Sequence, residues 1–155
     1  MRKINLLVIL LIIMFTACKK DSDKSCPTVT ITAPDSEVAA LQAYLDDNSI
    51  TATKDPRGFF YVIHAAGDKK PGVCDDVTIN YAGKLTDGTQ FDAANNVTFY
   101  LGRLIIGWQE GLPLIGTGGS ITLYIPPSLG YGSADNGPIP ANSNLIFDIE
   151  LNGVN

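Results

Sequence analysis

Apolar and polar positions along the chain mark one helix, a series of strands and a second, shorter helix. Val38, Leu41, Tyr44 and Leu45 recur at helical spacing. Pro34-Asp35-Ser36-Glu37 precedes them, with Asp35 or Ser36 as N-cap and an acidic first turn. Asp46-Asp47-Asn48 ends the pattern. The spacing therefore predicts a helix over about 36–47 that packs on the main body or extends it. Residues 28–32 are rich in β-branched side chains and suit a strand whose partner nothing nearby fixes.

After the Arg57-Gly58 turn, Phe59 to Ala66 is a β-prone run, broken by Gly67 and Pro71-Gly72. Val77, Ile79 and Tyr81 share one face of a strand over 76–81. Asp87-Gly88 is a hairpin signal. Val97, Phe99 and Leu101 alternate with polar or half-polar neighbours. Ile106 to Leu112 suits a short helix ended by Pro113. Ile121, Leu123 and Ile125 alternate until Pro126-Pro127. Residues 128–143 carry repeated Gly and Pro turns and read as one long loop, a length usually tied to function or disorder. Leu145, Phe147, Ile149 and Leu151 line one face of a last strand, with Asp148 and Glu150 on the other. Many strands with one or two short helices argue for an α+β fold with an antiparallel sheet.

The start of the chain changes the picture. Arg2 and Lys3 precede an apolar stretch from Leu6 to Phe15, too short for a membrane span of about 20 residues. Phe15-Thr16-Ala17-Cys18 resembles a bacterial lipobox, which implies cleavage before Cys18 and acylation of that cysteine. An ordinary secretory signal is the alternative. Lys19 after the cysteine, where inner-membrane lipoproteins often carry Asp, implies the outer membrane. The charged run 19–23 resembles surface-export tethers, so either face of that membrane fits. The expected division is a signal peptide over 1–17, a tether over 18–34, a helical extension over 35–57 and a main domain over 58–155.

Loss of Arg2 and Lys3 takes the formal charge from −5 to −5 − 2 = −7. An acidic chain without clustered Lys and Arg is a poor partner for nucleic acid. With Cys18 acylated, Cys26 and Cys74 remain as an even pair in an oxidising compartment. They form either a disulfide or two free thiols.

One ordered constellation carries candidate chemistry. Tyr81 lies in Val77-Thr78-Ile79-Asn80-Tyr81-Ala82-Gly83, and Phe91-Asp92 follows the Asp87-Gly88 turn. Ile105 precedes Gly107-Trp108-Gln109-Glu110-Gly111. Tyr131 lies in Leu129-Gly130-Tyr131-Gly132, and Phe147 in the last strand. In this order the segments resemble the FKBP-type peptidyl-prolyl cis-trans isomerases over about residues 58–153. The resemblance implies a curved half-barrel sheet around the 106–112 helix and rotation about X-Pro bonds without a cofactor or metal. It implies Pro-containing unfolded or exported polypeptides as substrates and macrolides as ligands.

By the same resemblance Trp108 is the floor of a proline pocket, and Tyr81, Phe91 and Phe147 are its walls. The Tyr131 hydroxyl and the Ile105 backbone N–H reach substrate carbonyls. Asp92 sits at the edge and orients Tyr81, and Leu104, Val97 and Ile139 add apolar contacts. Phe99 reads as core packing. Two departures point to a shallower pocket. The segments 92–99 and 102–107 are short, and Val97 stands where small family members often carry an aromatic residue.

Other features carry no chemistry. Gly116-Thr117-Gly118-Gly119 lacks the Lys-Ser/Thr of a phosphate loop, and His64 is a lone histidine in an apolar run. Asp75-Asp76 lacks a calcium-loop pattern, and Ser128 has no base nearby in the sequence. Two non-catalytic readings compete: a peptide-binding or chaperone module, and a lipid-anchored β-rich glycan-binding protein.

Overall fold

The computed structural model describes residue 26 and residues 30–155. The signal segment, the lipobox and Cys18 lie outside the described residues, as do residues 28 and 29 of the candidate first strand. Residues 30–32 are exposed and form no strand.

Helix α1 runs Asp35–Asp47. Its N-cap is Pro34, without a side-chain capping bond, so neither Asp35 nor Ser36 caps it. Pro34 accepts from Glu37 N–H and Val38 N–H at 3.0 and 3.1 Å, which meets part of the need for first-turn acceptors. Val38, Leu41 and Leu45 are the buried stripe of α1. They belong to one hydrophobic cluster that runs from Ala33 to Leu151, so α1 shares its core with the sheet.

Six strands form one antiparallel sheet: β1 (Thr53–Lys54), β2 (Phe60–Ala65), β3 (Asp76–Leu85), β4 (Gln90–Tyr100), β5 (Ser120–Ile125) and β6 (Leu145–Val154). Their spatial order is β1-β2-β5-β6-β3-β4. This is the expected α+β class. The two-residue β1 carries no periodicity and was not anticipated. Strand β4 also begins earlier than its alternation suggests. Register shifts between Ile79 and Tyr81, and between Gly83 and Lys84, break the period of two in the β3–β4 pair. The hairpin closes as Asp87-Gly88 predicts, with Gly88 at φ 88° and Asp87 Oδ1 accepting Thr89 N–H at 2.8 Å.

Helix α2 (Ile106–Gly111) lies against β5. Glycine makes the close approach possible. A Cβ on Gly107 would stand 2.6 Å from Ile125 Cδ1, and one on Gly111 2.6 Å from Leu123 Cδ1. The α-helix ends at Gly111, short of Pro113. Pro113 sits inside a 3-10 turn over Leu112–Leu114, where its missing N–H is no loss. The long 128–143 segment is folded around short-range bonds. Asn136 and Ile139 exchange backbone hydrogen bonds, Asn142 N–H donates to Gly132 O at 2.9 Å, and Gly132 N–H to Pro127 O at 2.8 Å. Cys26 and Cys74 form a disulfide, with Cα atoms 5.4 Å apart.

Candidate active site

A cavity of about 240 Å³ opens where β3, β4, β6, α2 and the 128–143 loop meet. Its lining is Tyr81, Asp92, Phe99, Leu104, Ile105, Trp108, Tyr131 and Phe147. Trp108 comes from the one helix that glycine lets lie flat on the sheet. It is buried between two rings set edge-on to it, Tyr81 at 5.2 Å and 79° and Phe147 at 5.0 Å and 85°. Edge-to-face contacts at these spacings are favourable and fix the ring planes. The Trp108 indole nitrogen has no hydrogen-bond partner among the described residues.

The sequence-named residues do not all line this cavity. Phe91 stands behind Phe147, ring centroids 5.5 Å apart at 85°, and supports that wall without lining the space. Gly83 makes room for both rings, since a Cβ there would meet Phe91 Cε2 at 2.6 Å and Phe147 Cε1 at 2.7 Å. Val97 pairs with Ile79 across β3 and β4 and packs on the core, away from the cavity lining. Ile139, expected to add an apolar contact from the loop, is 5% exposed, belongs to the buried core and is not among the residues lining the cavity. Phe99, read from sequence as core packing, lines the cavity instead and lies 6.3 Å from Tyr81. The 3-10 turn at Leu101–Arg103 ends β4 beside the cavity, which a strand pattern does not reveal.

One supporting residue was missed altogether. Gln109, 9% exposed, donates through Nε2 to Leu104 O at 2.7 Å and so holds the Leu104–Ile105 entry to α2.

The rim is polar and acidic. Tyr81 donates its hydroxyl to Asp92 Oδ2 at 2.6 Å. Burial, then the bond to Asp92 and the carboxylate charge, with Tyr131 nearby, push the Tyr81 hydroxyl up to about 12. Burial, then the Asp92 charge, also raises Tyr131 above its ordinary value. Both hydroxyls therefore remain protonated donors at neutral pH. Ile105 is the N-cap of α2, where backbone N–H groups point out of the helix end. No group of three or more metal-ligating side chains occurs among the described residues. A larger groove on another part of the sheet, about 370 Å³, is lined by His64, Asn80, Thr122 and Asp148 among others. His64 Nε2 lies 2.8 Å from Thr122 Oγ1, so the lone histidine is hydrogen-bonded.

The fold is an antiparallel six-stranded sheet packed on a short helix, with an aromatic cleft at their junction. Residues 67–152 match the FKBP-type peptidyl-prolyl cis-trans isomerases, more than half of the chain, and the protein belongs to that family. It is 45% identical over 105 residues to the FKBP-type peptidyl-prolyl cis-trans isomerase FkpA of Buchnera aphidicola subsp. Schizaphis graminum, covering 64% of this chain and 42% of the relative. It is 47% identical over 88 residues to FK506-binding protein 1A of Aspergillus fumigatus, covering 52% of this chain and 79% of that protein. The crystal structure of FkpA from Escherichia coli superposes with a TM-score of 0.70 at 37% identity, over 77% of this chain and 60% of that one. The chain thus spans about two fifths of the length of its FkpA relatives.

Proposed function

We propose that the protein accelerates cis-trans isomerisation of X-Pro bonds in polypeptides outside the cytoplasm. The observation that carries this is the cavity itself: Trp108 beneath, Tyr81, Phe99 and Phe147 around it, and hydroxyl donors at the rim. The unaided rotation has a barrier of about 18–20 kcal/mol. Shortening it from tens of seconds to milliseconds asks for about 10⁵-fold, or roughly 7 kcal/mol. No bond need be made or broken. A planar amide owes its barrier to resonance, and resonance gives it a large dipole. An apolar pocket favours the twisted, less polar state, because it withholds the solvation that the planar dipole enjoys in water.

The residues take distinct roles in this reading. The proline ring rests on Trp108 between Tyr81 and Phe147, with Phe91 bracing Phe147. Phe99 and Leu104 enclose the apolar side. Tyr131 Oη–H and Ile105 N–H bind the carbonyls that flank the turning bond. Asp92 fixes the direction of the Tyr81 hydroxyl. Macrolides that fill a proline pocket suit the same cavity.

Residues 1–17 act as a lipoprotein signal and Cys18 as the acylated anchor. The basis is Phe15-Thr16-Ala17-Cys18 after a short apolar stretch, and the protein then works at the outer membrane on exported chains. No helix among the described residues is long and apolar enough to cross a membrane. The decisive assay follows a proline-limited refolding protein and a tetrapeptide series with the Cys18→Ser protein. Acceleration, greatest with an apolar residue before proline, supports the enzyme. A folded protein that gives the buffer rate leaves only peptide binding. Acyl mass at Cys18 in the wild type tests the anchor separately.

A further inference from the structure

We infer that Glu37, on the first turn of α1, is a positioning residue for Tyr131. The family match begins at residue 67, so α1 lies outside it. Yet α1 is tied directly to the segment that carries Tyr131. Glu37 Oε2 accepts two hydrogen bonds from Ser128, from its backbone N–H at 2.9 Å and from its hydroxyl at 2.8 Å. Both donors sit 91 residues away in sequence, so the contact fixes tertiary position and not a local turn. Bonds to an ionised acceptor are the stronger kind.

Ser128 is the middle residue of the 3-10 turn Pro127–Leu129, from which the chain passes directly to Tyr131. Pro127 O accepts from Gly130 N–H at 2.9 Å and from Gly132 N–H at 2.8 Å, the two neighbours of Tyr131. Leu129 is fully buried. A displacement at Ser128 is therefore passed on to Tyr131. Tyr131 itself lines the cavity but is 40% exposed, so packing on its side chain is incomplete and its backbone carries part of its placement.

The other end of the latch is rigid. Ala33 N–H donates to Arg57 O at 2.8 Å, and Leu41 and Leu45 are buried in the common core. A cleft of about 190 Å³ between α1 and the loop is lined by Ser36, Glu37 and Ala40 on one side and by Pro127, Asn142 and Asn144 on the other. The helix thus faces both ends of the loop across this cleft and is bonded to it at Ser128. A second tie runs from the same N-terminal segment to α2, where Arg57 Nε lies 3.0 Å from Glu110 Oε2, two residues beyond Trp108.

This inference rests on the isomerase reading, and two readouts separate the fate of each. Glu37→Ala lowers kcat/KM roughly three- to tenfold at 25 °C, where the variant remains folded by circular dichroism. Glu37→Gln, which keeps an acceptor oxygen, recovers most of the loss. In a Tyr131→Phe background Glu37→Ala adds little, because the hydroxyl it positions is gone. Ser128→Ala gives a smaller loss, since the backbone donor survives. Independently of activity, amide exchange at residues 128–132 accelerates in Glu37→Ala and returns toward wild type in Glu37→Gln. An inactive wild type with this exchange pattern overturns the isomerase reading and supports the latch. Unchanged kcat/KM in Glu37→Ala, a full additional loss on top of Tyr131→Phe, or unchanged exchange overturns the latch.

Discussion

Tyr81 shows how one side chain serves both fold and site. Its ring meets Trp108 edge-on, and its hydroxyl is held by Asp92. The folded protein binds its proton more tightly than the unfolded chain, about 12 against an ordinary value near 10. Its contribution to stability is full below about pH 10 and is lost as pH rises toward about 12. Urea midpoints measured from pH 9 to 11.5 should therefore fall less steeply in Tyr81→Phe than in wild type. An identical slope contradicts the assignment. Isomerase activity should stay flat from pH 7 to 9, because Tyr131 is raised as well. At this scale the sequence reading named most of the cavity lining, while Phe91, Val97 and Ile139 lie off it and Phe99 lies on it. For Val97 and Phe99 the cause is the same. Alternation shows that Val97 and Phe99 share a face, but not which of them lies under the core and which at its open end.

Helix α2 sets the floor, and its two glycines set the height of the helix above β5. In most helices Gly→Ala gains about 1 kcal/mol of propensity. Here the added methyl of Gly107→Ala would meet three Ile125 atoms at 2.6–2.7 Å, and Ile125 is fully buried. Overpacking of this kind costs about 1–3 kcal/mol, so the net effect should be a loss of up to about 2 kcal/mol in denaturant unfolding. Trp108 sits next to Gly107 and must move with it, so kcat/KM should fall more than the change in stability explains. A neutral or stabilising Gly107→Ala with full activity contradicts the close approach. The helix was legible as a short apolar run, and so were β2, β3, β5 and β6. Strand β1 was too short to carry a pattern. The middle of β4, Ala93-Ala94-Asn95-Asn96, has small and polar residues and a register shift that erase the alternation.

The molecule as a whole is held by one core and by a staple at its N-terminal end. Sheet order was not readable from periodicity, because partners such as β5 and β6 are chosen by packing over long separations. The family resemblance implied a half-barrel around the 106–112 helix, and the strand order came only with the structure. The disulfide between Cys26 and Cys74 closes a loop of 48 residues' separation. The chain-entropy estimate for such a loop is about 4 kcal/mol, an upper figure. Reduction should lower Tm by up to about 15 °C. It should not abolish activity, since neither cysteine lines the cavity. Two reactive thiols in the unfolded, unreduced protein would contradict the bridge.

The central claim is that the Trp108 cavity turns X-Pro bonds. Exchange spectroscopy by NMR reads this directly, as cis–trans cross-peaks of a Pro-containing peptide mixed with a catalytic amount of protein. The account predicts exchange at millisecond-to-second mixing times with wild type. With Trp108→Ala the cross-peaks should fall at least tenfold at equal concentration, the variant still folded. Cross-peaks absent with wild type, or equally strong with Trp108→Ala, would contradict it.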